Sequence, residues 1–359
     1  MKLGIIGLPN STKTTVFNAL TGSNRPVGKQ VTGKLEAFTA MVDVPDPRVD
    51  QLVALFKPRK TTYAKVSYVD IAGLGKGVGR AGLSGPFRNQ ISAVDGFVQV
   101  TRDFADPTVP HPEGSIDPVR DVAIMDAEFL LADLVTVENR LERLEKDIQR
   151  ASNRDRPAVE LELGLWPRLQ QALEAEIPLR DLELTPAELR VTSGYSFLTL
   201  KPMLILINTG DQDQNPEQIL TYRHANSAVA TIKGKLEMEI AQLGGPERQD
   251  FLEGFQISEP GLNRVIRISY SLIGLQSFFT VGEDEVRAWT LRQGATAVEA
   301  AGTIHSDLAH GFIRAEVVNY LDLLQSGGLA GARAAGLVRL EGKEYLVRDG
   351  DIVHVRFNV

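Results

Sequence analysis

The chain has 359 residues, 43% hydrophobic and 24% charged, a length and mix that suit about two or three domains, each with a sizeable core. Its formal net charge of -7 disfavours indiscriminate nucleic-acid binding but leaves room for a local basic face. It has no cysteine, which excludes disulfides, thiolate catalysis and cysteine-based zinc sites.

The first predicted strand, KLGIIG (2–7), begins almost at once, with no basic-then-apolar leader before it. No apolar run nears the ~18 residues of a membrane span, so a soluble, cytoplasmic protein with no membrane attachment is expected. The strand runs into GLPNSTKTT and then an amphipathic helix start. This is the layout of a phosphate-binding loop, G-x-x-x-x-G-K-[ST], beginning at Gly7, except that Thr12 replaces the second glycine. Backbone N–H groups of such a loop, and the helix N-terminus after it, point at an anion. Gly7, Asn10, Ser11, Thr12, Lys13, Thr14 and Thr15 are therefore candidate phosphate-binding residues. Lys13 would reach the terminal phosphates and stabilise charge in catalysis, and the Thr14 hydroxyl would ligate Mg2+. Alone the match is weak, because Gly-rich strand-to-helix turns are common in α/β proteins.

AKVSYVDI (64–71) and GFVQVT (96–101) read as buried parallel strands. The first carries Asp70 near its end, and Gly73 follows in a D-x-x-G arrangement. At this place in a P-loop NTPase the acid holds magnesium and the glycine amide meets the γ-phosphate; the plain alternative is an Asp capping a strand end.

Leu130, Leu134, Val137, Leu141, Leu144 and Ile148 form a heptad seam on a long helix. SNRDRP (152–157) breaks it, and Leu161, Leu165, Leu169 and Ala172 begin a return helix. An antiparallel helical hairpin over 122–199 is predicted. Arg150, Arg154 and Arg156 at its end make either a solvated tip or a phosphate-contacting patch.

LILIN (204–208) and SAVATI (227–232) resume the strand pattern. Asn208 and Asp211, in N-T-G-D, have the spacing with which many NTPases read a purine base, and Lys233 lies in the later loop IKGKLE (232–237). After about Ser277, EVRAWTL and GKEYLVRDGDIVHVRFNV alternate like half-exposed strands around a helix-like AVEAAGTIHSDLAHGF, a separate α+β part. The predicted boundaries are 1–121 with 200–276 for an α/β nucleotide-binding domain, 122–199 for the hairpin, and 277–359.

GLPN with KTTVFNAL, VPDPRVDQL (44–52), YVDIAGL (68–74), FLTLKP (197–202), EPGLNRVIR (259–267), EVRAWT (285–290), GFIRAEVV (311–318) and the closing EGKEYLVRDGDIVHVRFNV resemble the YchF/Obg-like ATPase family of P-loop NTPases, over essentially the whole chain. The resemblance implies a G-type domain, an inserted hairpin and a C-terminal TGS domain of ubiquitin-like β-grasp type. It implies a monomer that binds and slowly hydrolyses ATP, in some members GTP, with Mg2+, and associates with the ribosome or ribosomal RNA. Leu74 stands where related NTPases carry a catalytic glutamine. His111, in HPEGSIDP (111–118), matches the histidine that positions water in the family.

Three positions depart from the family pattern. A β-branched Thr12 resists the backbone conformation a glycine gives, at ~1–3 kcal/mol, an expected weakening of nucleotide binding by roughly 5- to 150-fold. Lys34 replaces a threonine that closes over metal and γ-phosphate, and an ammonium cannot ligate a cation. Asp211 replaces the family's Glu and restores the acid of guanine-specific proteins, but Thr209 stands where those proteins carry Lys, so ATP is placed ahead of GTP with both open. Either a slow NTPase switch results or, alternatively, a scaffold that binds the ribosome with little catalysis.

Overall fold

The computed structural model describes residues 1–26, 38–71, 90–150, 152, 156–255 and 257–358. Met1–Ala40 with Ser67–Val265 form one compact unit, and Met41–Val66 with Ile266–Val359 form a second.

Local chemistry explains most elements. Strand β1 (Lys2–Ile6) is apolar and leads into helix α1 (Lys13–Thr21), which stops at Gly22 in the left-handed conformation. Strand β2 (Phe38–Asp43) is followed by helix α2 (Pro47–Phe56), started by Asp46, whose carboxylate accepts from the Arg48 amide, and by a proline in the first turn. Strands β3 (Lys60–Thr62), β4 (Lys65–Asp70) and β5 (Gly96–Arg102) come next, the last buried along its whole length. Helix α3 (Pro118–Arg150) begins four residues before the predicted Val122, because Asp117 accepts from the Arg120 amide and Pro118 suits a first turn. Helix α4 (Arg156–Glu174) returns along it, and helix α5 (Pro186–Thr192) opens with a reciprocal Thr185–Glu188 capping box. Strands β6 (Met203–Asn208) and β7 (Ser227–Ile232) lead to helix α6 (Gly234–Gln242). Later come strands β8 (Leu275–Thr280) and β9 (Glu285–Arg292), helix α7 (Ala297–Ile304), strand β10 (Phe312–Asn319), and the strands β11 (Arg339–Glu341) and β12 (Asp351–Phe357).

In the first unit the sheet order is β2-β4-β1-β5-β6-β7, and the pairs β4–β1, β1–β5, β5–β6 and β6–β7 are parallel. The chain leaves β1 to build β4 on one side and later β5 on the other. Open α/β sheets bind ligands at such a switch point, beyond the carboxyl ends of the strands. Register then fixes the site: Ile5 lies beside Asp70, Ile6 beside Gln99, and Asn208 beside both Arg102 and Ile232. Three motifs spread over some two hundred residues therefore end at one edge of the sheet.

The hairpin has its own apolar core of Val137, Leu144, Leu165, Trp166 and Leu169. The predicted seam is its packing face, except that Ile148 near the end is exposed. Below it, the buried Asp133 carboxylate on α3 accepts from the Leu198 amide at 3.0 Å, and from the Thr199 amide and hydroxyl at 2.7 Å each.

The second unit is a mixed sheet of order β11-β10-β12-β8-β9-β3, with β8–β9, β10–β12 and β10–β11 antiparallel and β12–β8 parallel. Helix α7 covers it through Ala297, Ala300 and Ala301 against Phe278, Leu291 and Val353. A hairpin, a helix and a last strand laid parallel to the first make a β-grasp arrangement. Strand β3 pairs with β9, and Arg48 on α2 pairs with Asp349, so 41–66 packs with the C-terminal part, whereas the sequence boundaries had placed it with 1–121.

Candidate nucleotide-binding site

The loop after β1 is held in an unusual backbone path. Gly7 has φ 149°, and a Cβ there would stand 2.4 Å from the Val100 carbonyl oxygen, so only glycine fits. Asn10 (φ 63°) and Thr12 (φ 69°) are both left-handed. The Lys13 ammonium is buried and donates to the carbonyls of Leu8 at 2.7 Å and Gly7 at 3.1 Å, bridging the loop from inside. Burial lowers its pKa to about 8, with Asp70 opposing the shift. The Ser11 hydroxyl is buried without a hydrogen-bond partner, an orphan polar atom in the loop of the kind that a bound ligand relieves. Thr14 is half-buried and Thr15 buried, both in the first turn of α1.

Asn208 ties this loop to the base motif. Its amide donates to the Thr12 hydroxyl at 2.9 Å, while its carbonyl oxygen accepts from the Gly234 amide at 3.0 Å and the Gly210 amide at 3.3 Å. A Cβ at Gly234 would lie 2.7 Å from the Asn208 amide nitrogen, so the clip needs that glycine. Asp211 is exposed beside it. Lys233 pairs at 2.7 Å with Asp213, a residue sequence reading had not singled out. The half-buried Phe104 packs on Gly210 and offers an aromatic surface at the same turn, also unanticipated.

Asp70 is buried, and its carboxylate ion-pairs with the guanidinium of Arg25. Burial raises the Asp70 pKa, opposed by the charges of Arg25 and Lys13 and by hydrogen bonds from Arg25 and Thr14. Arg25 carried no sequence signal, since its partner lies 45 positions away.

The loop carrying His111 is fastened to the phosphate-type loop, because the Asn10 side chain donates to the Pro110 carbonyl at 3.1 Å. The imidazole itself is turned inward and buried. Its Nε2 lies 2.7 Å from Asp121 Oδ2 without the alignment of a hydrogen bond, and its Nδ1 accepts from the Glu113 amide at 3.2 Å. Arg120 holds the other oxygen of Asp121 at 2.8 Å. Both ring nitrogens thus face protein groups, so positioning water requires the ring to leave this pocket. Gly73, Leu74 and Lys34 lie outside the described residues, as do Arg154 and the Arg150 side chain; Arg156 is exposed and 3.5 Å from Glu160.

Thr12 acquires a clearer role than its sequence position suggested. Thr12 is left-handed, a conformation that costs a β-branched residue ~1–3 kcal/mol. The hydrogen bond from Asn208 offsets about 1 kcal/mol of that cost. Thr12→Gly relieves that strain but gives up the Asn208 bond, so nucleotide affinity is expected to change less than about threefold. Calorimetric titration measures it; a gain of tenfold or more would instead mean that the branched side chain crowds the phosphates.

The chain resembles known proteins along essentially its whole length. The family model YchF-GTPase_C, described as "Protein of unknown function", matches residues 275–358. The chain is 42% identical to the "Ribosome-binding ATPase YchF" of Bacillus subtilis over 365 residues, covering 99% of each, and 36% identical to "Obg-like ATPase 1" of Bos taurus, covering 100% of this chain and 92% of that one. The solved structure of the Schizosaccharomyces pombe YchF GTPase superposes with a TM-score of 0.83 at 31% identity, covering 99% of this chain and 97% of that one.

Proposed function

The chain belongs to the YchF/Obg-like ATPase family, and from that premise we propose that it binds a purine nucleoside triphosphate on the loop Gly7–Thr15, hydrolyses it slowly, and works in association with the ribosome. The observation that carries the nucleotide half is the convergence at one sheet edge of the left-handed loop, the buried Lys13 ammonium, the orphan Ser11 hydroxyl and the Asn208 clip. The names of the relatives support the ribosomal half. A cytoplasmic monomer is part of the same reading, and among the described residues no helix is long and apolar enough to cross a membrane.

Hydrolysis joins a water oxygen to the γ-phosphorus as the bond to the β,γ-bridging oxygen breaks. Lys13 would exchange its two carbonyl partners for phosphate oxygens and offset the charge that builds there. Ser11 would donate to the same phosphates, and His111 would orient the water after leaving Asp121. Asn208 holds the loop and the base turn together, and Asp211 remains exposed to accept from a purine edge. ATP is placed ahead of GTP, because Thr209, which donates to the Gln212 carbonyl, stands where guanine-specific relatives carry lysine.

Magnesium was expected at Thr14 and Asp70. Both supply the hard oxygen donors that such an ion takes, but the Asp70 carboxylate is already engaged by the Arg25 guanidinium. The residues do not fit a resident divalent cation in this arrangement, and no step is assigned to one.

Purified protein should release phosphate from ATP faster than from GTP and sediment with ribosomes. Release no faster than that of Lys13→Ala protein would remove the enzymatic reading, and absence from the ribosomal pellet would remove the association.

Lys13 also sets a pH dependence. Phosphate favours the ammonium and raises its pKa above the free value of about 8, so binding takes up a proton once pH exceeds that value. Affinity is expected to be flat below pH 8 and to fall by up to about tenfold per unit above it. Titrations at pH 7, 8 and 9 check this; equal affinities would contradict it.

A further inference from the structure

Arg25 is built into place rather than draped over the surface. Its backbone is clamped by the buried Asn18 side chain, which accepts from the Arg25 amide at 3.1 Å and donates to the Arg25 carbonyl at 2.8 Å. The guanidinium carbon lies 3.5 Å from the Phe38 ring centroid and 5.7 Å from that of Phe17, so two aromatic faces fix its plane. Its N–H group ends on the Asp70 carboxylate, whose side chain is only 9% exposed.

Two consequences follow. The Asp70 oxygens face a permanent cation, and a divalent ion brought beside them would meet that cation at close range in a poorly hydrated setting, where like charges repel strongly. Meanwhile Lys13 and Arg25 together carry two positive charges against the single negative charge of Asp70, leaving a net positive site before any metal arrives. A guanidinium keeps its charge at every relevant pH and presents several donors in a plane suited to carboxylate and phosphate. A protein cation here can do what the family's metal does for the phosphates, namely offset their charge.

We propose that Arg25 takes the place of the divalent cation at Asp70, so that this chain binds nucleoside triphosphate with little dependence on magnesium. The inference rests on the nucleotide-binding reading above, and it makes Arg25 a binding residue 45 positions from its acidic partner.

Equilibrium titration of fluorescently labelled ATP and GTP, in excess EDTA and in excess Mg2+, tests it with wild type, Arg25→Gln and Arg25→Lys. Wild-type dissociation constants in the two conditions should differ by threefold or less. Arg25→Gln keeps a planar group over Phe38 but removes the charge; its affinity in EDTA should fall at least about tenfold, with Mg2+ restoring most of it. Arg25→Lys keeps the charge and should lie between the two. A wild-type ratio above threefold overturns the inference, as does an Arg25→Gln ratio equal to that of wild type, the result of a purely structural ion pair. Should Arg25→Gln fail to fold, the wild-type ratio decides by the same limit. Absence of nucleotide binding by wild type in both conditions is a different result, and overturns the proposed function together with this inference.

Discussion

Lys13→Met is expected to weaken nucleotide binding by about 100- to 1000-fold, and phosphate release with it. The substitution keeps an unbranched chain in the loop and removes only the ammonium. That ammonium donates to two carbonyls, of Gly7 and Leu8, from a site closed to water. Phosphate oxygens are charged acceptors, and hydrogen bonds to charged groups contribute roughly 1.5–3 kcal/mol each. Two such contacts, less the carbonyl partners given up, amount to about 3–4 kcal/mol, the source of the expected factor. Because burial already presses Lys13 toward its neutral form, with a pKa near 8, losing the charge should cost the fold little. Titration with labelled ATP reads the affinity and thermal melting reads the fold. Unchanged affinity in a folded variant would place the nucleotide somewhere other than this loop.

Asp133→Ala is expected to destabilise the protein by about 3 kcal/mol, without touching the nucleotide loop. Its carboxylate accepts two amides and one hydroxyl from the turn at Leu198 and Thr199, where the chain comes off the hairpin toward β6. Removing the acceptor leaves buried donors unpaired, at roughly 1–3 kcal/mol each, partly relieved where water enters. Burial raises the Asp133 pKa to about 6, opposed by these same hydrogen bonds. The folded state therefore holds a proton, between about pH 4 and 6, that the unfolded chain has released. The contribution of Asp133 to stability accordingly falls as pH rises through that window. Asp133→Asn keeps one acceptor oxygen and removes the titration, so it should cost less than Ala and flatten stability between pH 4 and 6. Denaturant midpoints of the three proteins across that range measure both effects; equal midpoints for wild type and Ala at pH 7 would contradict the role given to this carboxylate.

What the sequence disclosed and what it concealed divides along physical lines. Asp70 and Asn208 were legible because each ends a strand of recognisable pattern, and Lys13 because it opens the helix after one; parallel register then places those strand ends side by side. The hairpin was legible because a heptad seam needs only local spacing, although its true start at Pro118 depended on a cap rather than on apolar period. Contacts made by one exposed-looking side chain with a distant partner had no such signature. The Arg25 pair with Asp70, the inward turn of His111 onto Asp121 and the pairing of β3 with β9 arise from tertiary packing alone. Thr12 falls between these cases. Its conflict with a left-handed backbone could be read from residue type, but the Asn208 hydrogen bond that shares its cost could not.

The most direct test of the central claim is the structure of the protein at saturating concentrations of a non-hydrolysable ATP analogue. The expected result has the β- and γ-phosphates within hydrogen-bond distance of the amides of residues 10–15. Lys13 Nζ should have moved from the Gly7 and Leu8 carbonyls to phosphate oxygens, with Arg25 still against Asp70. An analogue bound elsewhere, or a loop with Lys13 still on its two carbonyls and no phosphate beside it, would contradict the account.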